Sequence, residues 1–260
     1  MIQTIAGIDF ETTSVDVRTG QVIEGAVVLM SVENGNVTAE IETYSSMNDP
    51  GTPIPAEITM LTGITDEMVR GQCLDWQRFN AIVARADLII AHNARFDRAW
   101  LETFGKYMTP KWGCTLSMID WKKQHGMPCA TLRHLAWEHG HFPTSHRALD
   151  DVRTMLHLLT MNSRGKPEET YLAQLLKTAQ AGRRLVIAKG SPFDKKDALK
   201  AQQFSWSPAR KTWWRLLAED EWETLKPWLD QEIYSGRPSY ETFPQVDFLA
   251  PSFRIQHGLE

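Results

Sequence analysis

The strongest constraint on the fold is Glu33-Asn34-Gly35, which separates two apolar-rich runs. Asn-Gly is a favoured centre for a tight hairpin because both residues accept positive φ. Residues 22–32 (VIEGAVVLMSV) and 36–44 (NVTAEIETY) therefore read as the arms of one hairpin. The apolar segment 4–11 before them adds a strand, so the chain opens as a three-stranded meander. Farther on, Asp87-Leu-Ile-Ile-Ala91 is short and apolar on both faces, the pattern of a central strand. Helices are expected near 55–61, 65–70, 74–85, 94–104, 117–124, 131–139 and 146–161, with a short strand near 111–115. Strands alternating with helices after a meander indicate an α/β layer fold, a mixed sheet flanked by helices.

Asn162-Ser-Arg-Gly-Lys-Pro167 carries helix-stopping residues and marks a boundary. Domain 1 is expected over residues 1–165. A small α+β domain follows over 166–234, with a connecting helix at 168–180, a strand at 184–188, a helix at 194–202, a hairpin at 203–217 and a helix at 219–229. Residues 235–260 are rich in Pro, Gly and Ser and read as an extended tail. Cys73, Cys114 and Cys129 form no C-x-x-C pair and are odd in number, which suits a reduced, cytoplasmic protein. No apolar run approaches the length of a membrane span, so a membrane role is not expected. The net charge of −4 says little about partners; local charge has to.

Three acidic elements carry the chemistry. On the first strand Asp9 and Glu11 project from one face, about 7 Å apart along the chain. Such a pair repels and loses hydration unless a cation sits between, and hard divalent ions such as Mg²⁺ or Mn²⁺ suit carboxylate oxygens. The second element is His92-Asn93-Ala94-Arg95-Phe96-Asp97, with Asn93 a candidate helix N-cap and Asp97 in the first turns. The third is His146-Arg147-Ala148-Leu149-Asp150-Asp151. On one helix His146 and Asp151 lie about 140° out of alignment. They converge only if His146 belongs to the preceding loop and Asp151 to the helix, with Asp150 the local competitor. Taken singly, each has an ordinary reading: a strand reaching the surface, a carboxylate on a helix dipole, a solvated first turn.

Together the motifs resemble the DEDDh, or DnaQ-like, family of 3′–5′ exonucleases, most closely its exonuclease X group. The resemblance covers residues 3–162 and includes Leu61-Thr-Gly-Ile-Thr65 and Cys114-Thr115. It implies a ribonuclease H-like fold and two Mg²⁺ or Mn²⁺ ions per site, roughly 3.5–4 Å apart. It further implies that Asp9 bridges them, that Glu11 and Asp151 hold the ion bearing the water, and that Asp97 acts directly or through water. His146 would be the general base. Thr12, Thr13, Leu61, Ile64, His92, Asn93 and Phe96 would hold the 3′-terminal nucleotide; Leu61, Ile64 and Phe96 serve equally well as core residues.

Residues 181–217 hold nine Lys/Arg against two Asp, a local +7 in a chain that otherwise sums to −11. Arg183, Arg184, Lys189, Lys195, Lys196, Arg210, Lys211 and Arg215, with Trp213 and Trp214, are expected to meet phosphates and unpaired bases. The alternative is an aromatic core with a basic rim. No motif of a named family appears in this part. Gln245-Val-Asp-Phe-Leu249 resembles the short peptides that dock into sliding clamps. The expected activity is a metal-dependent 3′–5′ exodeoxyribonuclease acting on single-stranded or frayed DNA ends and releasing nucleoside 5′-monophosphates, in repair or proofreading. Its rivals are an exoribonuclease and a polymerase- or clamp-associated binding subunit.

Overall fold

The structure, a computed structural model, describes residues 2–109, 111–142 and 146–259. Asn34 (φ 51°) and Gly35 (φ 77°) take the left-handed conformations that a tight hairpin needs. They join β2 (Val22–Glu33) to β3 (Asn36–Met47), with Glu33 opposite Asn36. On the other side of β2 lies β1 (Thr4–Thr12), antiparallel to it. Beyond β1, β4 (Leu88–Ala91) and β5 (Trp112–Cys114) run parallel to it. The order β3-β2-β1-β4-β5 makes the expected mixed sheet.

The flanking helices used below are α1 (Ala56–Thr62), α2 (Trp76–Val83), α3 (Ala94–Trp100), α4 (Leu132–Glu138), α5 (Ala148–Thr160) and α6 (Tyr171–Ala181). Alternation along β1 assigns the layers. Phe10 meets Trp76 and Phe79 of α2 at ring distances of 5.6 and 5.3 Å on one face. Gly7, Asp9 and Glu11 point to the other face, where α5 packs. A Cβ on Gly7 would lie 3.0 Å from Val152 Cγ1 and 3.1 Å from Leu156 Cδ1. The missing side chain is what lets α5 lie so close to β1.

One helix falls short of expectation. Only Thr115–Met118 is helical where 117–124 was expected. Buried Trp121 donates its indole N–H to the Thr115 carbonyl (2.7 Å) and rests on Tyr171, so tertiary burial overrides local helix propensity.

The chain divides after Lys177, not after 165. The stretch 162–167 is a turn of the first unit, tied in by polar contacts. His125 shares one hydrogen bond with Gln174 (3.0 Å) and accepts another from the Gly165 N–H (3.1 Å), and Gln174 donates to Ser163 Oγ (2.7 Å). Tyr171 is fully buried against Trp121, His125 and His139. The helix expected as a connector therefore begins as part of the first core.

The second unit is the small α+β body expected. Its sheet combines β6 (Arg183–Ala188), β7 (Ser205–Ser207), β8 (Thr212–Ala218) and β9 (Glu241–Phe243), all antiparallel, in the order β7-β8-β6-β9. Val186, Leu199, Phe204, Leu217, Leu225 and Leu229 share its core with residues of α7 (Lys196–Ala201) and α8 (Trp222–Trp228). The tail is not extended. It supplies β9 and a helical turn at Phe253–Gln256, and it buries Phe248, Leu249, Phe253 and Leu259. Spaced apolar anchors do the work that its Pro, Gly and Ser content concealed. The same burial corrects the clamp-peptide expectation, because Phe248 and Leu249, the side chains such a peptide would present, are committed inward. Among the described residues no helix is long and apolar enough to cross a membrane.

Gly7→Ala is expected to cost about 1–3 kcal/mol through overpacking against Val152 and Leu156. A urea midpoint equal to that of the parent would show that α5 has room to spare.

Candidate active site

The carboxylates gather where β1 and β4 end. A register shift between Glu11 and Thr12 closes the β1–β2 ladder just past the Asp9–Glu11 pair. α5, seated on the same face through Gly7, brings in Asp151 from its first turn. One oxygen each from Asp9, Glu11 and Asp151 lies within 4.8 Å of the others. Asp97, on α3 just after β4, is only 1% exposed, and both its oxygens are buried without a hydrogen-bond partner. It does not join the three, yet its charge acts on Asp9 more strongly than that of any other residue.

The electrostatics follow. Burial, then the charges of Asp97, Glu11 and Asp151, raise the Asp9 pKa well above the carboxylate range. Burial and then Asp151 push Glu11 up to about 8, against partial relief from Arg147. Burial raises Asp151 to about 6, opposed by Arg133. Asp97 is raised well above the carboxylate range by burial. Converging carboxylates that resist ionisation, beside an acid with unpartnered oxygens, form the donor set of a hard divalent cation. Asp9, Glu11 and Asp151 would hold it, with Asp97 alongside.

His146 lies outside the helix that carries Asp151, the condition on which the two can converge: α5 starts at Ala148, two residues later than the expected 146, and Arg147 is extended. It is half-buried and not part of the carboxylate cluster. Burial, then Arg133, lower its pKa, which keeps the imidazole neutral near pH 7.

The residues expected at the nucleotide divide. Thr12 Oγ1 donates to the Ser14 carbonyl (2.7 Å), and Thr13 Oγ1 accepts from the Gln21 N–H (2.9 Å), so both hydroxyls serve the loop after β1. Ile64 is fully buried with Ile23, Ile54 and Val69 and is a core residue, whereas Leu61 on α1 is 56% exposed. His92 Nδ1 shares a hydrogen bond with Thr115 Oγ1 (2.8 Å), and burial lowers its pKa to about 4. Asn93 does not cap α3 through its side chain; its contribution is a left-handed turn, φ 69°. Phe96 is half-buried, edge-on to Trp100.

A further pair escaped the sequence reading. Glu24 on β2, opposite Glu11, is only 2% exposed. It accepts from Arg147 Nε (3.0 Å) and from an Arg147 terminal nitrogen (2.6 Å). It also accepts the Ala148 N–H at 2.9 Å, and Asp151 N–H donates to the Arg147 carbonyl at 2.9 Å. The start of α5, and with it the placement of His146 and Asp151, is thus fastened to β2. The signal was present: Glu24 is the lone charge in the run 22–32.

In the second unit most of the expected basic residues are occupied. Arg184 pairs with Glu219, Lys189 and Arg210 with Glu241, and Arg215 with Glu221. Arg183 lies over Phe248 and is half-buried. The neutralising glutamates lie outside the 181–217 window, Glu219 and Glu221 just beyond it and Glu241 in the tail, which is why the local charge overstated the patch. Among the described residues Lys195, Lys196 and Lys211 make no such pair, and Trp213 and Trp214 are half-buried.

An exonuclease family model, RNase T, matches residues 6–159. The chain belongs to this exonuclease family. Its acidic motifs make it a DEDDh-type 3′–5′ exonuclease. Over 98 residues it is 38% identical to a PolC-type DNA polymerase III of Halalkalibacterium halodurans, a stretch covering 36% of this chain and 6% of the polymerase. The exonuclease thus spans only a small part of that relative. Its fold is similar to that of E. coli ExoI in a zinc-bound complex with single-stranded DNA (TM-score 0.55, 14% identity, 99% of this chain and 68% of that one). Exonuclease X in complex with 5′-overhanging duplex DNA aligns over 65% of this chain and 99% of its own, at 23% identity and a TM-score of 0.46. The ribonuclease H-like fold expected from the motifs is the fold found.

The raised acids set a sign for pH dependence. A carboxyl with a raised folded-state pKa stabilises the fold fully below its unfolded value. That contribution is lost as pH rises through about 6 for Asp151 and about 8 for Glu11. A bound cation offsets the loss, so Mg²⁺ should raise the Tm more at pH 8 than at pH 5. Equal increments in a scan against EDTA would separate the cation from these acids. Glu24→Ala should cost about 3 kcal/mol, since it strands Arg147 and uncaps α5. Its stability to urea, set against Glu24→Gln, measures the clamp.

Proposed function

We propose that the chain is a metal-dependent 3′–5′ exodeoxyribonuclease, using Mg²⁺ or Mn²⁺ as a pair of ions and releasing nucleoside 5′-monophosphates. The observation that carries this reading is the convergence of Asp9, Glu11 and Asp151 within 4.8 Å, from motifs more than a hundred residues apart. Asp9, Glu11 and Asp151 would hold the ions, with Asp97 completing the acidic set beside them. Divalent ions held there supply charge neutralisation for the phosphoryl oxygens and acidity for the attacking water.

The protein's own groups do the rest. His146, neutral near pH 7, accepts the water proton on a ring nitrogen. The water oxygen bonds to phosphorus, and the bond from phosphorus to the preceding O3′ breaks. One nucleoside 5′-monophosphate leaves, and the released O3′ takes up a proton from solvent to become the 3′-hydroxyl of the shortened strand. Exposed Leu61 is suited to stack on the terminal base, with Phe96, His92 and Asn93 around the sugar. DNA is favoured over RNA because the related stretch lies in a DNA polymerase; a role in repair or proofreading follows.

Asp9→Ala and Asp151→Ala should each lower turnover at least about a thousandfold while circular dichroism stays unchanged. On 3′-labelled oligonucleotides in Mg²⁺, DNA should be degraded faster than RNA of the same sequence. Faster RNA hydrolysis would make this an exoribonuclease. Normal turnover by either variant would dismiss the carboxylate site.

A further inference from the structure

The second unit has an outer surface that its own packing does not use. Phe193 is 81% exposed and Trp206 is 47% exposed, unusual for rings this large in so small a body. Lys196 Nζ lies over the Phe193 ring at 4.5 Å, and Lys200 Nζ over Trp213 at 5.8 Å. The two lysines are four apart on α7 and so share a face. Trp206 and Trp213 are cross-strand partners on β7 and β8, their rings 5.4 Å apart and edge-to-face. Ring, cation, cation, ring and ring thus follow one another from Phe193 along α7 to the sheet edge at β7.

The core accounts for only part of this. Trp213 packs partly on it, and Phe204, next in sequence to β7, is buried within it. Phe193 and Trp206 add little to either. Asp194 and Asp197 lie on the same stretch, and Lys200 comes within 3.8 Å of Asp197, both side chains being largely exposed. Such a pair is weak in water and yields readily to a phosphate. Lys195, Lys196, Lys200 and the exposed turn residue Lys211 outnumber those two acids. Alternating flat rings and flexible ammonium groups match a strand whose bases are unpaired and whose backbone is anionic. Duplex ends offer few free base faces, and an acidic peptide offers none.

We propose that Phe193, Lys196, Lys200, Trp206 and Trp213 form a second binding site, for single-stranded nucleic acid, distinct from the carboxylate cluster. It rests on the reading of the chain as a nuclease only in that the ligand is a nucleic acid. The site moves the expected contact away from the ion-paired arginines of β6 and β8 and onto α7 and the β7 edge.

The test is binding of fluorescein-labelled oligo(dT) by the full-length chain in EDTA, read by anisotropy. Phe193→Ala with Trp206→Ala should weaken binding about tenfold or more, from two lost stacking faces. Lys196→Ala with Lys200→Ala should weaken it and make the salt slope shallower by about one. Trp206→Phe, which keeps a ring, should restore most of the affinity. Turnover of a trinucleotide in Mg²⁺ should stay at the parental value in all these variants, so failure of the nuclease reading shows as inactivity of the parent itself. Parental affinity and salt slope in both double variants, with an unchanged Tm, would overturn the site. Equal loss for single strand and blunt duplex would overturn its base-stacking character. Undiminished DNA binding together with loss of a co-purifying protein would make it a protein interface.

Discussion

Three carboxylates that repel one another are held together by packing elsewhere. Gly7 has no side chain, so α5 settles on β1 with Val152 and Leu156 in close contact. That contact sets the height at which Asp151 meets Asp9 and Glu11. The repulsion shows in acids driven up in pKa, and a divalent cation would relieve it. The apolar contact and the electrostatic tension are two ends of one lever: the first acts in folding, and the second would be released by a bound metal.

Glu24 sharpens this arrangement. A fifth carboxylate, buried beside these acids and Asp97, would worsen the repulsion if left alone. Instead it accepts two hydrogen bonds from Arg147 and one from the first amide of α5. The guanidinium also offsets part of the pressure on Glu11. One ion pair thereby does two jobs, ordering the turn that presents His146 and Asp151 and tempering the field they enter.

Much of this was legible in the sequence because it depended on local geometry. Asn34-Gly35 dictated a hairpin, strand alternation put Asp9 with Glu11, and a spacing of five forced His146 out of the helix. What was missed depended on contacts between distant residues. Glu24 looked like one polar residue in an apolar run until its partner, 123 positions away, was known. Ile64 and Leu61, three apart at the end of α1, could not be told apart as core and surface without the fold. The basic stretch misled because its counter-charges lay outside the segment that drew attention, Glu219 and Glu221 just past it and Glu241 in the tail.

The polar knot of His125, Gln174, Ser163 and Gly165 bears on how such a protein can be rearranged. A Gly-Pro break that looks like a seam is stitched into the catalytic body, and Tyr171 beyond it is a keystone for Trp121 and His139. Evolutionary shuffling at that seam would hand a new partner an uncovered aromatic floor. The boundary between the two units therefore lies past the first turns of α6, and a cut at the Gly165–Pro167 turn would open the core of the first.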